Sequence, residues 1–169
     1  GTLAEELTIL NDIAKRIRKD RFRKGAVNFE TTEVKFRLDA EGKPLEVIPK
    51  VRKDAHKLIE EYMLLANKQV ATFVYNLRKG KEKNTFVYRT HDFPDPEKVK
   101  DFSTFAKQFG HKMTIDENSI SSSLNQLMNE IEGKPEQNIL EQLAIRTMAK
   151  AKYTTDAKGH FGLAFEHYS

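Results

Sequence analysis

The sequence predicts a mixed α+β domain in which one long central helix packs on a small, incomplete sheet, with several further helices around it. Three observations predict it. Apolar residues recur at helical spacing in four stretches and a capping signature opens a fifth, shorter segments alternate apolar with polar residues at strand spacing, and Gly or Pro punctuates most of the boundaries. The chain has 169 residues, 38% hydrophobic and 32% charged. That composition fits one soluble globular domain over residues 1–169, long enough to bury about two-thirds of its unfolded surface without staples.

Leu3, Leu7, Leu10, Ile13, Ala14 and Ile17 fall on one side of a helix running from about Leu3 to Phe22. Its second half is basic, with Lys15, Arg16, Arg18, Lys19, Arg21, Arg23 and Lys24 interrupted only by Asp20, and Gly25 supplies a stop. Cations at that end suit the helix dipole. Val34, Phe36 and Leu38 then alternate with Lys35 and Arg37, Asp39-Ala40-Glu41-Gly42 makes a turn, and Leu45 and Val47 alternate before Pro49. This is a hairpin with one wet, basic face.

From about Lys53 the helical period returns. Ala55, Leu58, Ile59, Tyr62, Leu65, Ala66, Phe73, Val74 and Leu77 form the broad stripe of the central helix, which Gly80 and Lys81-Glu82-Lys83-Asn84 end. Phe86-Val87-Tyr88-Arg89 is a strand, expected to share the sheet with the hairpin. Asp95-Pro96-Glu97 combines a cap residue, a first-turn Pro and an early acid, so a helix runs from there to about Phe109, closed by Gly110. Ile120, Leu124, Leu127, Met128 and Ile131 mark another helix, ended by Gly133, and Pro135 opens a last one through Ile139, Leu140, Leu143, Ala144 and Met148. Gly159-His160-Phe161-Gly162-Leu163 is a loop or the start of a strand.

Several chemistries are excluded. Without Cys there is no thiol nucleophile, thiolate zinc site or redox motif. No apolar run reaches the roughly 18 residues of a membrane span, and the N-terminus shows no leader pattern. The five histidines lack the paired spacing of a zinc hydrolase helix, and no phosphate loop, nucleophile elbow or kinase motif occurs. Ser121-Ser122-Ser123 is a helix entry. Asp92, Asp95, Glu97 and Asp101 form the one acidic cluster, and capping with a solvated first turn accounts for it.

Three features stay open on the residues alone. The basic run with Phe22 inside it and Phe29 beyond suits phosphates and stacked bases, or is a solvated face. Its 29 Lys+Arg against 25 Asp+Glu tilt the chain only mildly towards anionic partners. Arg89 and His91, two apart in an extended segment, point to one side, or mark a polar strand end. Of Glu60 and Glu61 in the central helix, one turns inward and needs a partner, or both lie at the margin of the stripe and meet Lys57 or Lys68.

Four strings bear on these choices together: Gly25-Ala26-Val27-Asn28-Phe29-Glu30 with Glu33-Val34-Lys35-Phe36; Asp54 through Asn67, containing Leu58-Ile59-Glu60-Glu61; Tyr88-Arg89-Thr90-His91-Asp92; and Gly159 through Glu166. In this order and spacing the chain closely resembles the catalytic RNB domain of the ribonuclease II and ribonuclease R family, on the bacterial ribonuclease R side. The resemblance implies a processive 3′→5′ exoribonuclease that hydrolyses single-stranded RNA to 5′-mononucleotides with Mg²⁺, the RNA threading a narrow basic channel in a cytoplasmic enzyme.

The same resemblance implies roles for four residues. Glu60 helps to position the 3′-terminal nucleotide, which a carboxylate can do by accepting a hydrogen bond from a ribose hydroxyl. Phe29 is one side of a base clamp at the far end of the bound RNA. Arg89 and His91 contact phosphate or the terminal nucleotide. The family's metal-binding aspartates and a base-stacking tyrosine fall before residue 1, its Ser-Pro-Ile-Arg-Arg-Tyr-Pro-Asp segment falls after residue 169, and its flanking cold-shock and S1 domains are outside as well. The start without Met and the stop at His167-Tyr168-Ser169 agree with a piece of a larger polypeptide. The expectation is therefore a fragment that binds no metal and is inactive alone. A non-catalytic RNA-binding module and a helical protein-interaction domain are the alternatives.

Overall fold

The computed structural model describes residues 1–28, 34–50, 52–77, 85–116 and 119–169. Among the described residues five helices form, in the order the sequence predicts: α1 (Ala4–Arg23), α2 (Asp54–Leu77), α3 (Pro96–Gln108), α4 (Ile120–Ile131) and α5 (Gln137–Thr147). Their ends follow the local chemistry. Asp95 caps α3, its carboxylate accepting the backbone N–H groups of Glu97 at 3.0 Å and Lys98 at 3.4 Å, with Pro96 as the first helical residue. After α1 the chain turns through Gly25 at φ +101°, a conformation that a side chain would strain. The helix stop placed at Gly80 to Asn84 lies outside the described residues.

The mixed α+β class is as expected, but its strands divide into two separate antiparallel pairs where the sequence suggested one shared sheet. β1 (Val34–Leu38) and β2 (Pro44–Pro49) form the predicted hairpin, with Phe36 opposite Val47 and every residue of both strands exposed. β3 (Tyr88–Thr90) pairs instead with β4 (Lys152–Thr154), a strand that no alternation announces. The physical reason is topological. α3, α4 and α5 lie between β3 and β4 in the chain, and the two strands close that excursion at its base.

The apolar core sits in the excursion. Val99, Phe102, Ala106, Leu124, Leu127, Ile131, Leu140 and Ala144 from α3, α4 and α5 are buried together, joined by Val27 from the turn after α1. The central helix α2 packs against α1, burying Ala14, Leu64 and Ala71. The last residues run along α2 as a strap: the His167 ring stacks on Tyr75 at 3.9 Å, Lys68 lies over the Phe165 ring, and Ser169 Oγ donates to the Val87 carbonyl at 2.9 Å.

Candidate functional site

The chemistry of the α1–α2 pair begins with Glu61, 1% exposed. Arg21 donates to it twice, Nε to Oε2 at 3.2 Å and Nη2 to Oε1 at 2.5 Å, and Arg18 adds Nη1 to Oε1 at 3.3 Å. Arg18 and Arg21 are three residues apart and so share a helix face. A buried carboxylate is tolerable only when so paired. Both guanidiniums also lie 4.8 Å from the centroid of the Phe22 ring. The acid that turns inward is therefore Glu61, and its partners come from α1.

Other ion pairs consume much of the rest of the basic run. Lys15 pairs with Asp54 at 2.9 Å, and Arg23 and Lys24 both hold Asp20, at 2.5 and 2.7 Å. Those two cations keep the Asp20 carboxyl below the usual carboxylate range. Arg16 and Lys19 remain exposed on the same helix.

Glu60, one residue earlier and so about 100° around α2, points away from the clamp. It is half-buried, pairs with Arg52, and lines an open cavity of about 550 Å³ with His56, Ile59, Met63, Asn67 and Tyr168. Ile59 and Met63 are exposed on this side, giving the acid an apolar floor. At one end His56 Nδ1 accepts the Lys53 N–H at 3.1 Å. At the other, Asn67 Nδ2 donates to the Tyr168 hydroxyl at 3.4 Å.

Arg89 and His91 stand at the end of β3 with separate partners. The Arg89 guanidinium lies 4.9 Å from the centroid of the Tyr153 ring on β4, and its backbone N–H donates to the Tyr168 carbonyl at 2.9 Å. Both ring nitrogens of His91 are engaged within the chain: Nε2–H donates to the Ala149 carbonyl at 2.8 Å and Nδ1 accepts the Gly162 N–H at 3.1 Å. This fixes the neutral tautomer. His91 also packs edge-on against His160, 5.0 Å between centroids. Burial lowers the pKa of His91, and burial followed by the neighbouring His91 lowers that of His160 to about 4. Gly162 permits the junction, because a Cβ there would stand 2.9 Å from His91 Nδ1.

Of the residues the sequence singled out, Glu60 and His91 therefore line different cavities, the second an open groove shared with Phe22, Lys24, Asn125 and Phe161. Tyr168 is the link, touching Asn67 on α2, the Arg89 backbone and the His160 ring. Phe29 lies outside the described residues. Sequence reasoning missed the Glu61 clamp, which the i, i+3 spacing of Arg18 and Arg21 signals, and Asn67, two full helical turns beyond Glu60.

Among the described residues, no three His, Asp or Glu side chains converge as metal ligands. Asp95 is spent on its cap, and Asp92 faces Lys152 at 3.4 Å. Among the described residues, no helix is long and apolar enough to cross a membrane.

The fold and this arrangement define a class: a model of the RNB domain matches residues 2–169, and the chain belongs to that family. Its relatives are more particular. The chain is 36% identical over 165 residues to ribonuclease R of Vibrio cholerae, and 32% identical over 167 residues to those of Aquifex aeolicus and Escherichia coli. These matches cover 98–99% of this chain but only 19–23% of the relatives, so the chain spans about a fifth of their length. Among solved structures, apo RNase R of Mycoplasma genitalium superposes with a TM-score of 0.85 at 24% identity, over 96% of this chain and 25% of that one. Its complex with ribose-methylated single-stranded RNA gives 0.86. Yeast Ssd1, a pseudonuclease, gives 0.68 at 18% identity, over 100% of this chain and 21% of that one. At such identities the likeness is one of fold.

Proposed function

We propose that this chain is the C-terminal-side part of the catalytic domain of a cytoplasmic, ribonuclease R-like 3′→5′ exoribonuclease, and that its task is to hold the 3′ end of single-stranded RNA while the cut is made elsewhere in the parent polypeptide. One observation carries the reading: a match to the RNB family over residues 2–169, with ribonucleases R as relatives at 32–36% identity.

The geometry supports a division of labour. The Glu60 carboxylate, on the rim of an open apolar cavity, accepts hydrogen bonds from the terminal ribose hydroxyls, and its partner Arg52 is placed to take a neighbouring phosphate. Arg89 offers a second cation, and Phe29 stacks on a base further along the strand. His91, with both nitrogens engaged, serves by holding the 159–165 loop rather than by touching the substrate. In this reading Mg²⁺ and its aspartates belong to the preceding segment, with cold-shock and S1 domains flanking, and no step is routed through the metal here.

Binding of a labelled single-stranded RNA to the purified chain tests this. Affinity should fall as salt rises, Glu60→Gln should weaken it, and Mg²⁺ should release no mononucleotides. No binding at low salt, or Mg²⁺-dependent release by this chain that Glu60→Gln abolishes, would overturn the reading. The alternative is an RNA-binding module without catalysis. Release of mononucleotides by the longer parent polypeptide decides between the two.

A further inference from the structure

Of the polar groups in the cavity beside Glu60, His56 is turned to the Lys53 N–H, while Asn67 and Tyr168 are given no task by the reading above. Asn67 lies seven residues after Glu60, two turns along the same face of α2 and about 10 Å further down its axis. Its amide donates to the Tyr168 oxygen, which leaves the phenolic proton of Tyr168 for another acceptor. The tyrosine is held on several sides: its carbonyl takes the Arg89 N–H at 2.9 Å, and its ring stands edge-on to His160 at 5.5 Å and beside Phe165 at 5.7 Å. A donor so oriented loses little freedom on binding.

The surroundings define the acceptor. The cavity wall carries one anion, Glu60, and no lysine or arginine among its lining residues, while Met63 and Leu64 separate Glu60 from Asn67 and Tyr168. A phosphate beside Tyr168 would meet no lysine or arginine, Arg52 being held by Glu60 at the other end, whereas a neutral hydroxyl would meet a neutral donor. At about 3.4 Å per stacked nucleotide, 10 Å of helix reaches roughly three nucleotides from the terminus.

We propose that Tyr168, oriented by Asn67, is a second ribose-binding residue, donating its hydroxyl proton to the 2′-oxygen of an internal nucleotide within about three of the 3′ end. Glu60 and Tyr168 then test two sugars of the same strand, so RNA is distinguished from DNA at two points. This rests on the reading of the Glu60 cavity as the 3′-end site.

The experiment measures binding of the 169-residue chain to a labelled oligoadenylate and to versions in which each of the last riboses in turn is 2′-deoxy. The wild type should lose about three- to tenfold in affinity for a deoxy sugar at the terminus and again at one internal position. Tyr168→Phe should lose a similar factor on the all-ribose strand and become indifferent to the internal deoxy sugar while staying sensitive at the terminus. Asn67→Ala should blunt the internal sensitivity, and Glu60→Gln should remove only the terminal one. The proposal falls if Tyr168→Phe keeps the full wild-type profile, or if it weakens every oligomer equally without erasing the internal step, as a merely structural role would. If the wild type binds no oligomer, or neither Glu60→Gln nor a terminal deoxy sugar has any effect, the 3′-end reading itself fails and this inference with it.

Discussion

The two halves of the molecule are stabilised in opposite ways. The excursion of α3, α4 and α5 closes on itself, with Leu124, Ile131 and Leu140 at 0% exposure. The half built from α1, α2 and the hairpin buries few large apolar side chains and leaves many exposed, among them Leu7 at 54%, Phe36 at 56%, Met63 at 61% and Phe73 at 63%. Its centre is the Arg18–Arg21–Glu61 clamp. One half is a core of the ordinary kind. The other is joined by charge, and its apolar stripes are what a larger domain or a ligand would cover.

Deleting one side chain in each half breaks the comparison most directly. Glu61→Ala leaves Arg21 buried without its acid and should cost about 3–5 kcal/mol, whereas Leu124→Ala should cost about 2–5 kcal/mol through the cavity it leaves. Urea unfolding measures both. A cost below about 1 kcal/mol for Glu61→Ala would show that the clamp does not hold α1 to α2.

Acid should act on the seam between the halves. His160 binds its proton less readily folded, near pH 4, than unfolded, near 6.5. As pH falls through that interval the unfolded chain therefore takes up more protons and stability declines, with the full contribution present above about 6.5 and the loss complete below about 4. His91, shifted in the same direction by burial, adds to the loss. An NMR titration placing His160 near 6.5 would contradict the packing of these rings. The smallest effect belongs to the exposed stripe, where Phe73→Ser should change stability by no more than about 0.5 kcal/mol. A large loss there would mean that the face is already covered in solution, for instance by self-association.

Most helices were legible because their signals are local: the stripe of α2, the Asp95-Pro96-Glu97 start of α3, the glycines after α3 and α4. The strand partners were not. β4 is three residues long with no alternation to mark it, and its partner β3 lies across three intervening helices in the chain, so the pairing is set by tertiary structure rather than by a local signal. The site was legible in part. That one of Glu60 and Glu61 turns inward follows from the helical angle, but which one depends on where α1 lies, and reading Lys15 to Lys24 as a single charged surface hid the inward turn of Arg18 and Arg21. His91 was noticed for its neighbour Arg89, although its nitrogens look instead to Ala149 and Gly162.

The side-by-side placement of Tyr88–Thr90 and Lys152–Thr154 means that the helical excursion begins and ends at a single doorway. A change in the length of that segment is therefore taken up beside these two short strands, whereas its anchorage to the rest of the molecule rests on the turn after α1, where Asn125 holds Ala26 and Asn28 and Val27 enters the core.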